Sequence, residues 1–106
     1  MSDDKNDAQA RLAAAAERCP VGLYAHYKTD GVYVVHGHSV DEASLAPLVH
    51  YYSVSRGSRW TRTVDNFTEI VTGDISGVAF ASVRFTRTGD VTDEMLARAR
   101  GDRGSE

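Results

Sequence analysis

At 106 residues the chain has room for one domain of the commonest size and one modest core, and its 42% hydrophobic and 25% charged residues are ordinary for a soluble globular protein. One cysteine excludes an internal disulfide framework, and no apolar run reaches the roughly 18 residues of a bilayer span. A net charge of −3 removes the cationic surplus on which non-specific duplex binding rests.

The start, Met1-Ser2-Asp3-Asp4-Lys5-Asn6-Asp7, is acidic and polar, the opposite of a secretory signal, so a cytoplasmic location is expected. Composition divides the chain into a leader over residues 1–18, a β-rich domain over 19–89, and a short helix with a charged tail over 90–106. The leader predicts a helix from about Asp7 to Arg18. Alanine favours it, Asn6 or Asp7 can cap it, and Cys19-Pro20 ends it. Its apolar face is thin (Leu12, Ala16, Cys19), so the helix must lean on the domain or on a second subunit.

Val21 to Lys28 alternates as a strand, with Leu23, Ala25 and Tyr27 on one face and Tyr24, His26 and Lys28 on the other. Thr29-Asp30-Gly31 signals a turn into a second strand, Val32 to Gly37. Leu48 to Ser55 and Arg59 to Val64 come next as third and fourth strands around Arg56-Gly57-Ser58, and Val78 to Thr86 reads as a fifth. Thr92 caps a last helix to Arg100. The fold class expected is mainly β: a small barrel of about five strands, closed so that no edge is left exposed, with short flanking helices.

The run Gly22-Leu23-Tyr24-Ala25-His26-Tyr27-Lys28 resembles the opening of a small bacterial family, numbered 1653 among the domains of unknown function. Further matching pieces occur in order: Gly31, Tyr33-Val34-Val35, Gly37-His38-Ser39, Leu45 to Tyr51, Trp60-Thr61-Arg62, Phe67-Thr68-Glu69 and Arg84-Phe85. The alanine-rich leader, the Gly73 to Ala79 segment and the C-terminal helix depart from the pattern. So does Tyr51-Tyr52-Ser53, where the family has Tyr-Arg-Ala. The resemblance implies a compact SH3-like barrel and names no biochemical role.

Strand parity supplies the candidate site. If the apolar set fills a barrel, Tyr24, His26 and Lys28 meet solvent or ligand, as do Trp60 with Arg62 and Arg84 with Thr86. Stacking planes beside cationic donors suit a small, planar, anionic ligand such as a nucleotide. The candidate ligand-binding residues are therefore Tyr24, His26, Lys28, His38, Trp60, Arg62 and Arg84. The competing reading makes Tyr24 and Trp60 packing aromatics and the cations solvated.

His36-Gly37-His38 places two imidazoles on one strand face, with His26 and His50 as further ligands. Without a cysteine pair or a His-Glu-x-x-His helix, no metal or other cofactor is expected. Cys19 lies at the negative end of a helix dipole, a poor place for a thiolate, and no Gly-x-Ser-x-Gly turn or convincing carboxylate pair is present. Within 19–89 six cations (Lys28, Arg56, Arg59, Arg62, Arg84, Arg87) meet six acids (Asp30, Asp41, Glu42, Asp65, Glu69, Asp74), so nucleic acid is an unfavoured partner. A strip of Arg56, Arg59, Trp60 and Arg62 leaves contact with a short single strand open. The leading expectation is a non-enzymatic recognition domain that senses or sequesters its ligand, in the manner of a phage sponge for a defence signal, with homo-oligomer formation open. The rival is a peptide-docking module using Tyr24, Tyr33, Tyr51, Tyr52 and Trp60.

Overall fold

Helix propensity across Ala8–Ala16 and the stop at Pro20 shape the first element of the computed structural model, which describes residues 2–29 and 31–101. The expected turn residue Asp30, Met1 and the tail 102–106 lie outside the described residues. Helix α1 spans Ser2–Arg18, and Ala15 (1% exposed) with Cys19 buries its contact face, in place of the expected Ala16, which is exposed.

The remaining elements are β1 (Gly22–His26), β2 (Val32–Val40), β3 (Pro47–Ser53), β4 (Arg59–Thr63), α2 (Val64–Phe67), β5 (Ile70–Ile75), β6 (Val78–Val83), β7 (Phe85–Gly89) and α3 (Asp93–Arg100). The fold is mainly β, but the expected closed barrel is not formed. Five strands make an open antiparallel sheet in the order β4-β3-β2-β1-β7, and β5 pairs with β6 as a separate ribbon. The physical reason lies at Arg84. The single fifth strand expected over Val78 to Thr86 breaks there into two. The Arg84 amide donates to the Glu69 carbonyl at 2.8 Å, and its carbonyl accepts from the Tyr27 amide at 2.9 Å. Beyond Arg84 the chain joins β1, and before Arg84 it pairs with Ile70–Ile75. The turn of that ribbon, Ser76-Gly77, has φ of 53° and 81°, the left-handed pair of a two-residue hairpin.

Both faces of the main sheet are covered, which overturns the expected parity. Tyr24 does not meet solvent: it is 4% exposed and packs with Val35, Val49, Tyr51, Phe85, α1 and α2 in the larger core. Leu23 lies on the opposite face with Val34, Tyr52 and Ala99, beneath α3. In α3 the Thr92 hydroxyl accepts from the Met95 amide, the N-cap expected from the sequence.

A bulge on β2 corrects a second reading. Val35 pairs with Tyr51 but Gly37 pairs with His50, so His36 is an extra residue and parity reverses beyond it. His36 and His38 therefore do not share a face. The His38 Nε2 meets the Cys19 carbonyl at 2.6 Å under α1, whereas His36 lies 6.4 Å from the His50 ring on the α3 side, where Arg100 donates to the His36 carbonyl. Among the described residues no group of three or more ligating side chains could hold a metal. Burial pushes the Cys19 thiol up to about 11.

Burial first, and then neighbouring cations and imidazoles, hold His26 and His36 below the usual 6.5; His50 is lowered by burial and then by His38. The His36 Nε2 is buried with no hydrogen-bond partner among the described residues. Such groups take up protons more readily when unfolded. Their contribution is complete above about 6.5 and is lost as pH falls through 6.5 toward the depressed folded values. Urea midpoints are therefore expected to fall between pH 7.5 and pH 5.5, and His36→Leu to shrink the difference; equal midpoints in the parent would refute the assignment.

Candidate functional site

Register decides which side chains meet. Tyr24 opposes Tyr33, Tyr33 opposes Ser53, Tyr51 opposes Trp60, and Val49 opposes Arg62. On β1 and β7, His26 opposes Phe85. All lie on the α1 side of the sheet. That helix covers one end of the face, and the other end opens into a cavity of about 230 Å³. Its walls are His26, Thr29, Tyr33, Tyr51, Ser53, Arg56, Trp60, Arg62 and Phe85.

The floor is aromatic and continuous with the core. Phe85 stacks on Phe67 with ring centroids 4.2 Å apart, and His26 and Tyr33 meet Phe85 edge-on at 4.8 and 5.3 Å. These contacts fix the ring planes, so the floor is formed before any ligand arrives. Trp60 differs from them: it is 49% exposed, and its indole N–H donates to the Ser58 hydroxyl at 2.7 Å. A half-exposed indole held by one hydrogen bond is a ready stacking plane.

Arg62 is held from three sides. Its Nε donates to the Tyr51 hydroxyl at 2.7 Å, its Nη1 donates to the Asn66 Oδ1, and its guanidinium carbon lies 5.6 Å from the Phe85 ring centroid. A guanidinium has five N–H donors, so about three remain for a ligand. The Tyr51 hydroxyl accepts from Arg62 and keeps its own proton to donate. Among the described residues the lining holds two arginines, Arg56 and Arg62, and no carboxylate. Two acids close to it in the fold are engaged elsewhere, Asp65 with Arg18 and Glu69 with Arg84. Burial, then Arg62, Arg84 and Lys28, holds His26 below its usual value, and its Nδ1 accepts the Lys28 amide at 3.2 Å. The neutral ring therefore carries its proton on Nε2 and is a donor. A wall of donors around fixed rings favours a planar anion and disfavours a cation, despite the aromatic content.

Of the residues expected from the sequence, the structure brings His26, Trp60 and Arg62 together. Tyr24 is in the core, its hydroxyl donating to the Pro20 carbonyl at 2.7 Å. Lys28 is exposed in the turn beyond β1, and His38 lies at the other end of the sheet under α1. Arg84 is bound to Glu69 at 2.7 Å and to the Asn66 carbonyl. The strip of Arg56, Arg59, Trp60 and Arg62 is split by parity. Arg59 turns to the far face, donates to the Ala99 carbonyl at 2.8 Å and lies over Tyr52. The aromatic groove of the peptide-docking reading is divided in the same way, because Tyr52 lies beneath α3 and Tyr24 is enclosed. Thr29, Ser53 and Phe85 were in none of the expected sets of contacting residues, and Arg56 only in the single-strand strip. Pairing register would find Ser53 and Phe85, and register is what the sequence leaves open.

Likeness to known proteins respects the same boundaries. The model of a family described as a protein of unknown function, DUF1653, matches residues 22–87. That span includes every residue lining the cavity and leaves out α1 and α3. A crystal structure of a DUF1653 protein from Bordetella bronchiseptica is similar, with 25% sequence identity and a TM-score of 0.55, covering 68% of this chain and 90% of that one. No curated protein matches.

Proposed function

The chain belongs to the DUF1653 family, and for this member we propose a role in holding a small planar anion of the nucleotide kind. The observation that carries the reading is the half-exposed Trp60 beside Arg56 and Arg62, in a cavity lined by no carboxylate among the described residues. A volume of about 230 Å³ lies below the roughly 300 Å³ where drug-sized sites begin. The cavity suits one part of such a ligand, the base or the phosphate, with the remainder lying across its open mouth. Binding without turnover amounts to sensing or sequestration, and sequestration of a nucleotide-derived signal is the biological setting we favour. We also read the main sheet as SH3-like in lineage, because four consecutive antiparallel strands with a last strand returning beside the first would make such a barrel if closed.

The sequence contains one tryptophan, so fluorescence excited beyond the absorption of the five tyrosines reports this site alone. Titration with adenosine monophosphate is expected to quench Trp60 saturably. Adenosine, lacking the phosphate, is expected to bind at least roughly tenfold more weakly, in line with the loss of a charge-assisted hydrogen bond. Equal affinities, or no quenching by either, would overturn the reading. An acidic peptide that quenched Trp60 in place of the nucleotide would move the assignment to the docking module.

A further inference from the structure

A second and larger cavity, of about 370 Å³, lies on the same sheet face and shares the Phe85 wall with the first. Its apolar walls include Pro20, Tyr24, Val83 and Phe85, and Arg18 and Arg87 are part of its lining. The volume falls within the range of ordinary small-molecule sites. We infer that this cavity binds an alkyl carboxylate, its tail against Tyr24, Val83 and Phe85 and its head at the two guanidiniums.

The chemistry comes from the walls. Tyr24 is almost wholly buried and its hydroxyl is satisfied by the Pro20 carbonyl, so the small part of the ring that reaches the cavity is apolar. Val83 is 39% exposed, and Ile70, its cross-strand neighbour, is 65% exposed, so apolar surface continues outward from the cavity along the ribbon. An apolar body covers that surface at a hydrophobic gain. Charge selects the head group. Arg18 is paired with Asp65 and Arg87 with Asp90, each at 2.8 Å, but those aspartate side chains are 83% and 93% exposed. Exposed ion pairs of this kind contribute little to stability, so a ligand carboxylate can take the place of either aspartate at small cost. A cationic head would face two guanidiniums and is rejected.

The site is independent of the nucleotide reading, and the test keeps the two apart. Amide and indole NMR signals of the intact chain are monitored during titration with sodium octanoate, and separately with octylamine. Octanoate is expected to shift Tyr24, Val83, Phe85 and Thr86 saturably while leaving the Trp60 indole in place, and octylamine to shift none of them. The double variant Arg18→Gln, Arg87→Gln is expected to weaken octanoate at least roughly tenfold. Equal binding of octylamine, shifts centred on Trp60, or no saturable shift would each overturn the proposal. If the variant does not fold, the octanoate and octylamine comparison on the parent chain decides the matter alone.

Discussion

Replacing Phe67 with alanine is expected to cost about 3–5 kcal/mol of folding free energy, the range for a fully buried phenylalanine. Phe67 is 0% exposed and stands among the rings of the larger core. It stacks on Phe85 at 4.2 Å, meets Tyr24 and Tyr51 at 5.3 Å each, and arrives there on α2, a four-residue helix. Of the four residues of α2 only Val64 and Phe67 are buried, so Phe67 supplies most of the apolar surface by which the helix packs on the core. For a domain of this size the loss corresponds to a melting temperature lower by roughly 15 °C or more, a large share of a total stability of about 5–15 kcal/mol. Ile70→Thr supplies the contrast. Ile70 is the larger part exposed, and its substitution is expected to stay within about 0.5 kcal/mol. Thermal melts of the two variants beside the parent decide the point; similar losses would mean that the aromatic stack is not the centre of stability.

Arg62→Gln is expected to weaken adenosine monophosphate by roughly 100-fold, the loss of about 3 kcal/mol that accompanies removal of a desolvated charge partner. Arg62 contributes donors beside the aromatic floor and is itself positioned by Tyr51, Asn66 and the Phe85 ring. Lysine at the same position keeps the charge and loses the fork, so Arg62→Lys should fall between parent and Arg62→Gln. A second readout needs no ligand. After burial, Arg62 is the next largest cause holding His26 down, so removing it should let the His26 pKa rise toward 6.5. An NMR titration of His26 unchanged by Arg62→Gln would separate Arg62 from the cavity and remove the basis of the binding prediction.

Much of the strand pattern can be read along the chain, because alternation is local. β1, β2, β3 and β4 lie where Val21 to Lys28, Val32 to Gly37, Leu48 to Ser55 and Arg59 to Val64 indicate, and Thr92 caps α3. What alternation cannot supply is which face is wet. Tyr24 and Leu23 are both covered, by α1 with α2 and by α3 respectively, so period-2 polarity carries no information on β1. The His36 bulge is invisible for the same reason: parity reverses there because of pairing with His50 and Tyr51, which are distant in sequence. β5 was not expected from the sequence. Ser76-Gly77 between Ile75 and Val78 is a hairpin signal, but Gly73 weakens the first arm as a strand. In the structure Phe80 lies across Gly73 and fills the space a side chain would need, so the weakness of one strand is made up by its partner. Of the cavity, Trp60 and Arg62 were accessible from their spacing alone, whereas Ser53 and Phe85 depend on cross-strand neighbours.

The β5–β6 ribbon also says where this chain tolerates a change of length. Its two strands make their main contacts with each other, and its tip, Ser76-Gly77, is outside the lining of both cavities. Insertion there obeys an even-number rule. One residue added to each arm moves the turn outward and leaves Ile70 opposite Val83 and Gly73 opposite Phe80. One residue added to a single arm slides the register and takes Phe80 off Gly73. The ribbon is thus a place for a tag, a spacer or a longer hairpin, provided the extra residues come in pairs.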